Sequence, residues 1–226
     1  MKFKYVKSTA AALALILSNI ANAGIIMHSE DYIDDTSRAH FNGFESMPMN
    51  SGELFTGGNG PYVEDLIQVE QINGDSGAND GIWAKHNWVG AQGDNSWYPN
   101  IGDYGYTSIT LSDSSDFGSI GFNFGTGGRS TTEILFEVYN DGVLILKGSS
   151  ALLSDSINYL GFSGDSFDEV RVKDNFGGSN FYSGRQTLAI DNIEIAGNLA
   201  DVPEPSSLAI FALGVIGLLS RRAIKQ

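Results

Sequence analysis

Along most of the chain apolar side chains recur at every second position, and no stretch carries the 3.6-residue repeat of an amphipathic helix. The body therefore reads as strands separated by turns rich in Gly, Asn and Ser. The strongest unit spans 133–147. There Ile134, Phe136 and Val138 share one face, Asp141-Gly142 supplies a tight turn, and Val143-Leu144-Ile145-Leu146 returns, the pattern of a β-hairpin. Further strands are predicted at 39–47, 62–72, 107–111, 117–124, 157–162, 168–173 and 187–195. In 117–124 the residues Ile120, Phe122 and Phe124 share a face, and in 168–173 Val170 and Val172 alternate with charged neighbours. About nine short strands predict an all-β fold, an antiparallel β-sandwich of jelly-roll type. No fixed repeat period is present to support a propeller or a β-helix.

The last predicted strand breaks its own alternation. Leu188 and Ile190 have one parity, Ile193 and Ile195 the other, so a β-bulge is expected at Asp191-Asn192. Asp191 then lies among apolar neighbours, where an unpaired carboxylate is costly. In the first strand Phe41, Gly43, Glu45 and Met47 share a parity, which predicts that Glu45 also points inward. If the first and last strands are neighbours, Glu45 and Asp191 can share a structural Ca²⁺ with backbone carbonyls. The alternative is that both are ordinary surface or turn residues.

Composition narrows the chemistry. The 226 residues include no cysteine, which excludes disulfides, zinc ribbons and thiol nucleophiles. The net charge is −14, and between Gly24 and Asp201 there are 7 basic and 26 acidic residues, a balance of −19. Such a body repels phosphate backbones and anionic lipid, so nucleic acid is not an expected partner. The positive charge sits at the two ends. Lys2, Lys4 and Lys7 precede an apolar run from Thr9 to Leu17 and then Ala21-Asn22-Ala23, a secretory signal peptide over 1–23 with cleavage by signal peptidase expected after Ala23. This leaves 24–201 as a single domain. At the other end Val202-Pro203-Glu204-Pro205 precedes an apolar helix over 208–220 and then Arg221-Arg222 and Lys225. The arginines stay cytoplasmic during export, so this short transmembrane helix would be oriented with the body outside.

These three features in this order resemble the PEP-CTERM sorting signal of Gram-negative bacteria, here over 202–226. The resemblance implies recognition by an exosortase, a membrane cysteine transpeptidase acting near Pro203, Glu204 and Pro205. It also implies transient anchoring and then delivery to the cell envelope or extracellular matrix. Within the body, Phe44-Glu45 and Ala189-Ile190-Asp191-Asn192-Ile193 resemble the two ends of jelly-roll carbohydrate-binding modules, in which an early Glu and a late Asp help hold a structural Ca²⁺. Tyr62-Val63-Glu64-Asp65 is similar to the opening of many exported PEP-CTERM domains.

The span 73–106 is rich in Gly, Asn and Asp and holds Trp83, Trp88, Trp97, Tyr98 and Tyr104. Long loops of this kind are often functional. Flat rings beside Asn and Asp suit the C–H faces and hydroxyls of a neutral sugar; alternatively the rings pin the loop to the sandwich. Catalytic signatures are absent. His28, His40 and His86 are far apart, and there is no His-Glu-x-x-His or Gly-x-Ser-x-Gly. The expectation is a non-enzymatic exported protein that binds glycan or exopolysaccharide. The alternatives are a structural or adhesive matrix protein that contacts other proteins, and a polysaccharide hydrolase with a spatially assembled site.

Overall fold

A computed structural model describes residues 24–47, 54–55, 61–72, 82–83, 89, 93–98, 105–126, 131–153, 157–176 and 188–196. For 54–55, 82–83, Thr126 and Asp165 only the backbone is described. The strands are β1 (Ile26–His28), β2 (Arg38–Asn42), β3 (Leu54–Phe55), β4 (Tyr62–Glu64), β5 (Ile67–Ile72), β6 (Ile82–Trp83), β7 (Tyr106–Leu111), β8 (Phe117–Thr126), β9 (Glu133–Asn140), β10 (Val143–Ala151), β11 (Asn158–Phe167), β12 (Glu169–Asp174) and β13 (Leu188–Ala196). Every pairing is antiparallel. One sheet runs β1-β11-β8-β13-β2, the second runs β10-β9-β12-β7-β5-β4, and β3 pairs with β6.

The all-β sandwich read from the sequence is what forms, because the alternating apolar positions need two facing sheets to cover them. Ile120, Phe122, Phe124, Leu160, Phe162, Ile190, Ile193 and Ile195 from the five-stranded sheet meet Ile67, Val69, Ile109, Ile134, Phe136, Val138, Val170 and Val172 from the six-stranded one. Phe136 and Phe162 pack ring against ring across the core, centroids 4.9 Å apart. Each such fully buried side chain contributes roughly 1.5–3 kcal/mol of burial free energy. The hairpin at Asp141-Gly142 is present, with both residues at positive φ (50° and 72°), as the turn between β9 and β10 requires.

Three expectations need correction. The span 62–72 is two strands, because Asp65 and Leu66 turn at φ 44° and 65° and fold β4 back on β5. The first long strand ends at Asn42 rather than Met47. Phe44 takes φ 61°, which swings its ring into the core and turns Glu45 out to solvent. Glu45 is therefore not an inward-facing strand residue. The predicted C-terminal helix lies outside the described residues. Among those that are described there is no helix, and so none long and apolar enough to cross a membrane.

The outer face of the five-stranded sheet has a floor of glycine. Gly161, Gly121 and Glu194 stand side by side on β11, β8 and β13. Tyr32, from the loop between β1 and β2, donates its hydroxyl to the carbonyls of Phe162 (2.6 Å) and Ile120 (3.2 Å), and its ring stacks on His28 at 3.7 Å. A Cβ at Gly121 would lie 1.8 Å from the Tyr159 hydroxyl oxygen, so no larger residue fits beneath that ring without a shift. Gly121→Ala is expected to lower stability by roughly 1–3 kcal/mol in urea denaturation. Tyr159→Phe removes the oxygen that the new methyl group would strike, and should recover part of the Gly121→Ala loss.

Candidate functional site

The end of β2 and the middle of β13 build the first cluster. Asn42 is wholly buried; its side chain accepts the Phe44 N–H (3.0 Å) and donates to the Ile67 carbonyl (3.4 Å), locking the left-handed turn. Beyond that turn Glu45 Oε1 accepts the backbone N–H groups of Asp94 (2.8 Å) and Asn95 (3.0 Å), while the Asn95 amide donates to the Phe44 carbonyl (3.2 Å). Gly93, at φ 100°, lies so close that a Cβ there would be 2.2 Å from Glu45 Oε1. Glu45 thus clamps residues 93–95 onto the end of β2. Two residues on, Trp97 and Ile190 exchange a pair of 2.9 Å backbone hydrogen bonds.

Asp191 follows directly on β13. The expected bulge is there: Asn192 has φ 48°, and the register with β8 shifts between Asp191 and Glu194. As expected, the first long strand and the last are neighbours. Asp191 is 0% exposed; one carboxylate oxygen accepts the Asn192 N–H (2.7 Å), and Oδ2 has no partner. Burial, reinforced by the negative charges of Glu45 and Glu64, pushes its pKa up to about 7. Glu64 itself accepts from the Tyr62 hydroxyl and, at 3.4 Å, the Ser46 N–H. Among the described residues no three His, Asp or Glu side chains form a complete metal-binding group. The oxygen-only donors and the unpartnered Asp191 Oδ2 fit a hard cation in kind, with backbone carbonyls needed to fill the shell.

The second cluster covers the outer face of the six-stranded sheet and was missed by the sequence reading. Glu70, Ser108, Arg171, Glu137 and Lys147 stand in one row across β5, β7, β12, β9 and β10. Arg171 binds Glu169 through two bonds (Nε 2.8 Å, Nη2 2.7 Å) and lies over the rings of Tyr139 (3.9 Å) and Tyr106 (5.1 Å). Burial opposes its charge, but Glu169 and the two tyrosines outweigh that and hold its pKa above the ordinary value. Ser108 donates to Glu169 (2.6 Å) and Tyr139 to Glu137 (2.5 Å). Burial, then Glu169, raises the pKa of Glu70. Lys173, on this same outer parity, is 0% exposed, and burial lowers its pKa against the opposing effect of Asp174. The period-two pattern marks these residues only as outward; their hydrogen-bonded order comes from cross-strand register. At one end of this face Gln68, Thr110, Leu111, Ser112, Ser114, Gly142, Asp168 and Glu169 enclose a recess of about 220 Å³.

The aromatic residues of 73–106 separate in space. Trp97 is 0% exposed and packs on Phe44, ring centroids 6.2 Å apart, inside the main core. A ring with no open face has none to offer a sugar, so Trp97 pins its segment to the sandwich instead. Tyr98 is likewise buried, against Val89 and Ala189. Trp83 is known only as a backbone partner of Leu54. Trp88 and Tyr104 lie outside the described residues, as do Ala21, Ala23, Pro203, Glu204, Pro205, Arg221 and Arg222.

A PEP-CTERM protein-sorting motif matches residues 201–223, which marks the chain as an exported, envelope-associated protein processed by an exosortase. No curated protein matches the sequence. Two solved structures of carbohydrate-binding modules are similar at low level. One is a mutant of a carbohydrate binding module family 29, with 16% identity over 62% of this chain and 99% of that one and a TM-score of 0.32. The other is "GH31 CBM32-2 bound to GalNAc", with 12% identity over 79% of this chain and 100% of that one and a TM-score of 0.28.

The raised pKa of Asp191 carries a signed consequence. The folded protein holds this proton at pH values where the unfolded chain, at 3.8, has released it, so ionisation favours unfolding. In chelator-containing buffer the Asp191 contribution should make stability fall as pH rises from about 4 to about 7. Asp191→Asn should flatten that part of the profile in melts followed by circular dichroism; an unchanged slope would refute the assignment.

Proposed function

We propose that this exported chain is a non-enzymatic component of the envelope or extracellular matrix whose sandwich binds glycan. In this reading signal peptidase releases it after Ala23. Segment 208–220 then anchors it until exosortase acts near Pro203-Glu204-Pro205. The observation that carries the finer reading is the recess on the six-stranded sheet. Its amide, hydroxyl and carboxylate groups (Gln68, Thr110, Ser112, Ser114, Asp168, Glu169) suit a polyhydroxylated ligand, and Leu111 with Gly142 offers it a small apolar patch. Arg171 and Ser108 hold Glu169 still, so part of the wall is preorganised. The recess is smaller than the roughly 300–1,000 Å³ of a drug-sized pocket, which favours one sugar unit at a time. Trp83, Trp88 and Tyr104 remain aromatic candidates for the glycan, with no position assigned relative to the recess; buried Trp97 and Tyr98 are not candidates. The purified exported chain should bind at least one matrix polysaccharide or arrayed glycan. Gln68→Ala and Thr110→Val should each weaken that binding about tenfold, the effect of losing one or two well-placed hydrogen bonds. Binding to no glycan at all would overturn the reading.

A structural Ca²⁺ held by Glu45 and Asp191, with Glu64 nearby, is the second part of the proposal. What supports it is the unpartnered, buried Asp191 Oδ2 facing a negative neighbourhood. The ion would tie residues 93–95 and the bulge of β13 together, replacing the repulsion now felt by Asp191. Calcium at about one hundred times its dissociation constant should add roughly 2.7 kcal/mol of stability. Glu45→Gln and Asp191→Asn should each abolish that gain. A melting temperature indifferent to calcium and to chelator would remove the ion from the account.

A further inference from the structure

The polar groups around the recess on the six-stranded sheet are in two different states. Glu169 is spent, because its carboxylate accepts two bonds from Arg171 and one from Ser108. Asp168, one residue earlier, is not. The Asp168 N–H donates to the Tyr139 carbonyl (3.1 Å) and its Oδ2 accepts the Asp141 N–H (2.9 Å), which holds the half-buried side chain against the turn between β9 and β10. Among the described residues its other oxygen, Oδ1, has neither a hydrogen bond nor a cation. The side chains of Gln68, Thr110, Ser112 and Ser114 likewise make no hydrogen bond to a protein group there. The recess therefore offers hydroxyls, an amide and one positioned, uncompensated carboxylate.

Charge separates ligands that hydroxyls alone would accept equally. No Lys, Arg or His is among the residues that enclose the recess. Arg171, the cation behind Glu169, has its fork committed to Glu169 and its plane to Tyr139. Asp113 and Asp141, both exposed, adjoin the lining residues Ser112, Ser114 and Gly142 and add negative charge near the rim. A uronate would bring a further negative charge to this neighbourhood. A neutral sugar can give Asp168 a hydroxyl, whereas a protonated amine gives it a charge-assisted bond, roughly twice as strong. A divalent metal fits less well: one open carboxylate is too little for a hard cation, and among the described residues no three His, Asp or Glu gather as a metal-binding group.

We infer that the recess takes an amino sugar whose amine is unacetylated, with the ammonium on Asp168 and the ring hydroxyls on Gln68, Thr110 and the two serines. Its source is a partly de-N-acetylated hexosamine polymer. The inference rests on the reading of the recess as a glycan site and adds the sign of the ligand's charge. It also gives the acidity of the body a part, since a balance of −19 draws in a polycation and holds off uronate polymers.

Isothermal titration calorimetry of the purified exported chain tests this, with glucosamine, N-acetylglucosamine and galacturonate oligomers of equal length at a pH that keeps the glucosamine amine protonated. The glucosamine oligomer is expected to bind at least about tenfold more tightly than its acetylated form, the effect of one hydrogen bond to a charged group. The galacturonate oligomer should not bind. Raising the salt concentration should narrow the gap between the two hexosamines. Asp168→Asn, which keeps an oxygen for the Asp141 N–H, should erase the preference and leave weaker binding of both, while Gln68→Ala should weaken both alike. Equal affinity for the two hexosamine forms, binding confined to other sugars, or a preference that survives Asp168→Asn would overturn the inference and leave the glycan reading standing. Displacement by ethylammonium as effective as that by glucosamine monomer would assign the recess to amines at large and overturn it as well. Binding to no glycan would overturn both.

Discussion

The bulge at Asp191-Asn192 is the constraint on which the rest of the molecule depends. β13 is an inner strand, bonded to β8 on one side and β2 on the other, and all four of its isoleucines and leucines must face the core. A regular strand cannot do this with Leu188 and Ile190 on one parity and Ile193 and Ile195 on the other. One residue at positive φ absorbs the mismatch. The cost is a carboxylate left where water does not reach. Everything that borders that carboxylate, from the Trp97–Ile190 bridge to the Glu45 clamp, is arranged around the same irregularity.

The two sheets divide the remaining work. The five-stranded sheet keeps its outer face close to closed, with tyrosines laid over glycines and Arg38 paired to Glu194 at 2.7 Å. The six-stranded sheet carries an ordered charged row and the recess. Ion pairs on a surface are worth little singly. Here Glu169, Arg171, Tyr106 and Tyr139 are partly or largely shielded and share partners, which stiffens the wall beside the recess. Among the described residues Arg38 and Arg171 are committed to such pairs, and the acidic exterior around them presents hydroxyls, amides and carboxylates.

Much of the fold was legible in the residues because period two is a local property. Ile134, Phe136 and Val138, or Ile120, Phe122 and Phe124, declare their shared face whatever they pack on. The parity break at Asp191-Asn192 was legible for the same reason. Phe44 was not: its left-handed turn is stabilised by Asn42 and by a core already formed, so simple alternation sent Glu45 to the wrong side. Trp97 was open to both readings, because a ring that anchors a loop and a ring that stacks on a sugar have the same neighbours in sequence; its full burial decides for the anchor.

The sequence by itself determined the all-β class, the hairpin at Asp141-Gly142, the bulge and the sorting address at the C-terminus, since each is written in contiguous residues. Only the tertiary structure decided which polar groups meet. The Glu45 clamp joins residues 49 and 50 positions apart. The row from Glu70 to Lys147 spans five strands. Which strands form the sheet edges follows from strand order, and strand order is set by how two whole sheets close over one core.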